Sequence, residues 1–242
     1  MEQQQLLHQA WAWVRSHKAT SLGYLLLLLV LSQYVTLPNN SLQDLRKENP
    51  GITALMQQRM DEAESAGKKF SLQQTWVPLS KISPYLVHAV ITSEDGTFYE
   101  HAGIDWYELE ESIEKNMEKG KPARGGSTIT QQLSKNLFFS TSKSYGRKAK
   151  ELIVALRMER QLPKKRILEI YLNIIEWGDG IFGAEAASRK YFGKSAAFLT
   201  REEAARMAAV IPSPLKHAPN AGSAYVLRRS SLILSRMASR GY

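Results

Sequence analysis

Cysteine is absent from all 242 residues. That excludes disulfides, thiolate metal sites, cysteine nucleophiles and a cysteine-linked lipid anchor. Histidine is scarce, with five in the chain, and none shows metal-ligand spacing; taken alone, His101 reads as a structural hydrogen-bonder. Acidic charge is also short. Asp and Glu number 23 against 32 Lys and Arg, a formal net charge of +9. Such an excess suits a polyanionic partner: nucleic acid, anionic lipid headgroups or a phosphorylated substrate. Repeats and low-complexity tracts are missing, and strand-like alternation is rare. What remains is a 43% hydrophobic chain, long enough for one sizeable core, whose patterning is mainly helical.

Long apolar runs are confined to the N-terminus, where residues 19–37 read ATSLGYLLLLLVLSQYVTL. As a helix this stretch spans about 28 Å, close to the hydrocarbon thickness of a bilayer. No small-x-small cleavage site follows, so the reading is an uncleaved signal anchor and not a removed signal peptide. Arg15 and Lys18 precede it. They place residues 1–18 in the cytoplasm and the rest across the membrane. Export separates the chain from nucleic acid, which is not expected as a partner. Residues 38–76 read as a connector and membrane-proximal segment, with a short helix over about 52–66 ended by Gly67 and an extended stretch after it. Pro78 keeps that stretch from being a central strand.

From Ser83 onward the pattern is helical to the end of the chain. Ser83 and Pro84 suit an N-cap and first helical position, and Leu86, Ala89, Val90 and Ser93 mark one face. Asp105 with Glu108 is a capping-box variant opening a helix striped by Leu109, Ile113 and Met117. KGKPARGGS, 119–127, is a basic loop. Thr128 and Gln131 open the next helix, striped by Ile129, Leu133 and Leu137. Residues 145–161 form a basic helix whose expected buried face is Ala149, Leu152, Ile153 and Leu156, with Glu151 roughly opposite. Residues 164–175 are apolar on nearly every side and predict a central core helix. Thr200 and Glu203 cap a helix over about 201–210, and a basic amphipathic helix covers about 222–239.

Three stretches carry candidate chemistry. ITSEDGTFYEHAGID, 91–105, sets Glu94 and Asp95 side by side at a helix end, followed by Phe98 and His101. GGSTITQQLSKNLF, 125–138, joins two glycines to a helix start rich in donors: Ser127, Thr128, Gln131, Gln132, Lys135 and Asn136. Free N–H groups and the positive end of the helix favour an anion there. YGRKAKE, 145–151, places Arg147 one turn before Glu151 with Lys148 close by. On spacing alone the Arg147–Glu151 pair is an ordinary solvated ion pair. FGKS, 192–195, fails as a phosphate loop because its first glycine would fall on Ser188. STSK and SPLK fit Ser-x-x-Lys but lack the companion elements of penicillin-reactive enzymes.

Together these stretches resemble the peptidoglycan glycosyltransferases, the monofunctional biosynthetic transglycosylases and the matching domain of bifunctional penicillin-binding proteins. Glu94-Asp95-x-x-Phe98-x-x-His101-x-Gly103 is similar to the first family motif, and Gly126 to Gln132 with Lys135-Asn136 to the second. Arg147-Lys148-x-x-Glu151 matches the third, and Lys164 to Asn173, with Glu169 and Tyr171, the fourth. The run ending at Pro212 is similar to the fifth, with Ser213-Pro214 where relatives often have Asn-Pro. The resemblance covers roughly residues 77–240. With no transpeptidase domain following, the chain resembles the monofunctional type.

The resemblance implies a lysozyme-like helical domain over 77–242 at the outer face of a bacterial inner membrane. It implies lipid II and the growing glycan strand as substrates, and inversion at the donor sugar with release of undecaprenyl diphosphate. Membrane lipid and other cell-wall synthesis or division proteins are the implied partners. Glu94 would be the general base and Glu151 a second catalytic carboxylate on the leaving-group side, positioning cations or helping to hold a divalent ion such as Mg2+. Asp95, Phe98, His101, Ser127, Thr128, Gln131, Gln132, Lys135, Asn136, Arg147 and Lys148 would bind substrate. The rival reading is a lytic transglycosylase or lysozyme, which needs a catalytic Glu but no diphosphate cluster.

Overall fold

The computed structural model describes residues 40–119, 126–139, 141 and 144–242, together with positions 17, 20, 21, 23, 24, 28 and 37. The expected anchor over 19–37 lies for the most part outside the described residues. Among the described residues no helix is long and apolar enough to cross a membrane. Residues 1–38 and 39–242 form separate compact units.

The unit over 39–242 is mainly helical, as the patterning predicts. Its described helices are α1 (Asn40–Asp44), α2 (Ala54–Ser65), α3 (Pro84–Glu94), α4 (Trp106–Lys119) and α5 (Ile129–Phe138). They continue with α6 (Tyr145–Gln161), α7 (Lys164–Ile174), α8 (Ala184–Phe192), α9 (Arg201–Val210) and α10 (Ala224–Ser239). The strands are β1 (Gln73–Gln74), β2 (Glu176–Gly178) and β3 (Ile181–Phe182). They form one small sheet in the order β1-β3-β2, with β1 parallel to β3 and β2 antiparallel to it. β1 is thus an edge strand, in keeping with the expectation that the stretch before Pro78 is not a central strand.

Caps fix several boundaries. Thr53 accepts from Met56 N–H, Thr128 from Gln131 N–H, and Thr200 from Glu203 N–H, with the Glu203 carboxylate returning to the Thr200 amide. Asp105 accepts from Glu108 N–H at 2.9 Å. Ser83 sits at the N-cap of α3, but its hydroxyl donates to the Leu199 carbonyl and ties α3 to the turn before α9.

The helices pack in two groups. α3, α9 and α10 pack on one another. α5 packs on α2, α6 and α7. α7 is the core helix expected: Ile167, Leu168, Ile170, Tyr171, Leu172, Asn173 and Ile174 are all buried. The stripe Ile129, Leu133 and Leu137 of α5 is buried as well.

Two expected faces are corrected. On α6 Glu151, Val154, Ala155 and Met158 are buried, with Arg157 beside them, while Ala149 is exposed and Leu152, Ile153 and Leu156 are half-buried. Both sets have i, i+3, i+4, i+7 spacing. The chain buries the set that begins with a carboxylate because cations accompany that carboxylate inward. On α4, Met117 is exposed and Ser112 is buried. A Cβ on Gly126 would come within 3.1 Å of Ser112 Cβ and 3.3 Å of the Glu108 carbonyl. The close approach this glycine permits is therefore to α4.

Candidate active site

Glu94 ends α3, where the helix meets a loop that returns toward α5. Its side chain is 9% exposed. Ser93 Oγ donates to Oε1 at 2.9 Å and Gln132 Nε2 donates to Oε2 at 3.1 Å. Arg229 of α10 stands 3.5 Å from Oε1 and also donates to Ser93 Oγ. Burial pushes the Glu94 carboxyl above the ordinary glutamate value, opposed by the donors Gln132 and Ser93 and by the Arg229 charge, and reinforced weakly by Asp95. A carboxylate raised this way is a better proton acceptor than one in water. Phe98, fully buried, has its ring contacts with Tyr99 and His101 and carries the Lys164 ammonium 4.4 Å above it.

Asp95 has a different task. It is buried, and it accepts from Ile129 N–H at 2.9 Å and from His101 Nε2 at 2.9 Å. His101 Nδ1 in turn accepts from Gly103 N–H at 3.1 Å, so in the neutral ring the proton sits on Nε2 and points at Asp95. Gly103 has φ +95° and lies against α6, where a Cβ would meet Glu159 Cγ at 3.0 Å and Ala155 O at 3.3 Å. Its carbonyl accepts from Thr128 Oγ1 and Gln131 Nε2. The first and second motifs are therefore one knot: Asp95 supplies the anion that the start of α5 attracts.

That knot takes up many of the donors the sequence offers to an anion. Thr128 and Gln131 are committed to Gly103, and Thr130 donates to Glu159, which Lys164 also holds. Gln132 serves Glu94, and Asn136 is buried on the same helix. The groups still turned outward are cationic. Lys148 is half-exposed and donates to Ser127 Oγ at 2.9 Å and Gln131 Oε1 at 3.2 Å. Burial lowers the Lys148 ammonium, and the charges of Lys135 and Arg147 lower it further. Lys135 is lowered by burial, then by Arg147 and Arg59. Its ammonium makes no hydrogen bond or ion pair among the described residues. Cations crowded until each weakens the next form a site that an anion would relax.

Glu151 holds this cluster from beneath. Its side chain is 2% exposed, Arg147 pairs with Oε1, and Lys148 lies 3.5 Å from Oε2. Both oxygens face cations. Among the described residues no group of three His, Asp or Glu could hold a metal ion, and the donor set around Glu151 does not fit a divalent ion.

A groove of about 930 Å³ runs past Glu94, Gln132 and Ser127 and is walled by Arg229 and Arg236 of α10 and by Arg240 just after it. Glu151 does not line it; Lys148 connects the two through Ser127. These three arginines and Tyr171 were not among the expected site residues. Arg229, Arg236 and Arg240 are spaced by 7 and 4, within about 20° of one helical face, a signal present in the sequence. Arg240 also donates to the Gly96 carbonyl at 2.6 Å, just after Glu94 and Asp95.

The family model described as Transglycosylase matches residues 61–238. A biosynthetic peptidoglycan transglycosylase of Janthinobacterium sp. (strain Marseille) is 49% identical over 191 residues, covering 79% of this chain and 83% of that protein. Proteins of the same name from Herminiimonas arsenicoxydans and Nitrosospira multiformis are 48% and 46% identical, with the same coverage. The chain belongs to the transglycosylase family.

Proposed function

We propose that this protein polymerises lipid II into peptidoglycan glycan strands at the outer face of the bacterial inner membrane, anchored through residues 19–37 with a lysozyme-like catalytic domain beyond. The observation that carries this reading is the pairing of Glu94, raised by burial in an open groove, with a crowded cation cluster that the groove reaches through Ser127. The family match and the names of the relatives support the same reaction class.

In this mechanism Glu94 takes the proton of an acceptor sugar hydroxyl. The freed oxygen attacks the donor's anomeric carbon from the face opposite the diphosphate, and the bond to the diphosphate breaks. One glycosidic bond forms, β-1,4 from an α-linked donor, and the electron pair leaves on undecaprenyl diphosphate. Lys148, Arg147 and Lys135 meet the charge that grows on it. Glu151 keeps Arg147 and Lys148 facing that position and does not touch the reacting atoms. General-base help of this kind is typically worth about 10²–10⁴-fold. Anchoring suits a lipid-linked substrate because it confines both to one surface, and the excess of Lys and Arg over 143–166 favours anionic headgroups.

The test is incubation of the purified full chain with lipid II, read by gel separation of glycan products. Polymer of increasing length is expected. Release of anhydro-sugars from finished peptidoglycan, with no polymer from lipid II, would instead establish the lytic reading.

A further inference from the structure

Behind Glu94 stands a hydrogen-bonded pair, a fully buried tyrosine and a half-buried glutamine on the groove wall. Tyr171 of α7 is fully buried, and its hydroxyl donates to Gln132 Oε1 at 2.9 Å. The other end of the same amide donates to Glu94 Oε2 at 3.1 Å. No other hydrogen bond of the Tyr171 hydroxyl is present among the described residues. We infer that Tyr171 and Gln132 are positioning residues for the catalytic carboxylate: the tyrosine fixes which way the glutamine amide faces, and the amide fixes Glu94 as an ionised, correctly turned proton acceptor.

The argument is one of donors and acceptors. A phenol has one proton to give, and a primary amide has one acceptor end and one donor end. With Gln132 as observed, both contacts are satisfied. If the amide turned over, the proton of the fully buried Tyr171 would lose its acceptor. A carbonyl oxygen would then face an ionised carboxylate. Each fault is costly when buried. Burial keeps the Tyr171 phenol well above its ordinary value, so it stays a donor at any working pH.

Gln132 therefore offsets part of what burial does to Glu94. The strongest charges acting on Glu94 are Arg229 from α10 and Asp95 from its own loop, the latter paired with His101. Lys135, one turn beyond Gln131 on α5, feels Glu94 at longer range. Gln132 pulls the carboxyl back down more than any other group. The family resemblance places Gln132 among substrate-binding residues. The hydrogen bonds also place it between two protein groups.

This inference rests on Glu94 being the general base, and the experiment separates the two claims. The pH dependence of kcat for lipid II polymerisation is measured for the full chain and for Gln132→Met, Tyr171→Phe and Glu94→Gln, each checked for a single cooperative thermal transition. In the unaltered protein, kcat rises with pH as Glu94 ionises. Gln132→Met removes the donor at nearly constant volume. Its acid limb should move upward by about one unit, with about a tenfold loss of kcat on that limb that recovers at higher pH and little change in KM. Tyr171→Phe should move the limb the same way by less. Should Tyr171→Phe fail to fold, Gln132→Met alone decides. An unmoved acid limb, with either a KM increase or a uniform loss of kcat, overturns the positioning role. Glu94→Gln should abolish the acid limb; if that limb persists in Glu94→Gln, the base assignment itself is wrong, whatever the other variants do.

Discussion

The two glutamates of the site are the same residue in opposite surroundings. Glu94 is held by a serine, a glutamine and one arginine at 3.5 Å, and it opens onto a groove. Glu151 is covered by Arg147 and Lys148 and lines no part of that groove. The first arrangement leaves a carboxylate with its proton affinity raised and its face free. The second uses up a carboxylate's charge to hold two cations in place. A side chain's role here follows from what neutralises it and not from its type.

The largest effect that could break this contrast is on stability. Arg147→Ala removes the closest partner of a carboxylate that is 2% exposed. Breaking a buried pair from one side typically costs about 3–5 kcal/mol, and the lower end is expected here because Lys148 remains 3.5 Å away. Urea denaturation checks it, and a loss under 1 kcal/mol would mean that Glu151 is not held as described. Next is Lys148→Ala. Its side chain is 46% exposed, so the fold should tolerate the change within about 0.5 kcal/mol. Polymerisation should fall about 10²-fold in kcat/KM if its charge meets the leaving diphosphate. An unchanged rate would remove it from the reaction.

The smallest effect concerns Glu94 and pH. Its folded carboxyl lies above the ordinary glutamate value. The folded state therefore prefers the protonated form: stability is fully present below the unfolded value and is lost as pH rises through the folded one. Glu94→Gln should then raise Tm at neutral pH by about 2–4 °C, what about 1 kcal/mol yields in a domain of this size. The difference should close as the pH falls below the glutamate range. Calorimetry at several pH values reads it directly, and a destabilised variant at neutral pH would contradict burial as the cause.

Much of this site was legible in the sequence because its parts are local. Thr128 three residues before Gln131, and Asp105 three before Glu108, are spacings that one turn of helix enforces. The uniformly apolar α7 could only be central. The failures were of a different kind. On α6 two stripes share one period, and hydrophobicity favoured the set containing Leu152, Ile153 and Leu156. Only the partners of Glu151 explain why the other set is buried. The joining of Asp95 to Ile129, of Gln132 to Tyr171 and of Glu94 to Arg229 spans 34, 39 and 135 residues. No periodicity encodes contacts at that range. For the same reason the donors after Gly126 read as an anion cradle, when most of them face Gly103, Glu159 and Glu94.

The sharpest single measurement sets the two glutamates side by side: lipid II affinity and single-turnover polymerisation for Glu94→Gln and Glu151→Gln under identical conditions. Glu94→Gln should bind as tightly as the parent and lose about 10²–10⁴-fold in rate, while Glu151→Gln should bind lipid II more weakly because its cations are no longer held. Near-normal turnover in Glu94→Gln, or a Glu151→Gln variant that binds normally and fails only in the chemical step, would reverse the roles argued for them.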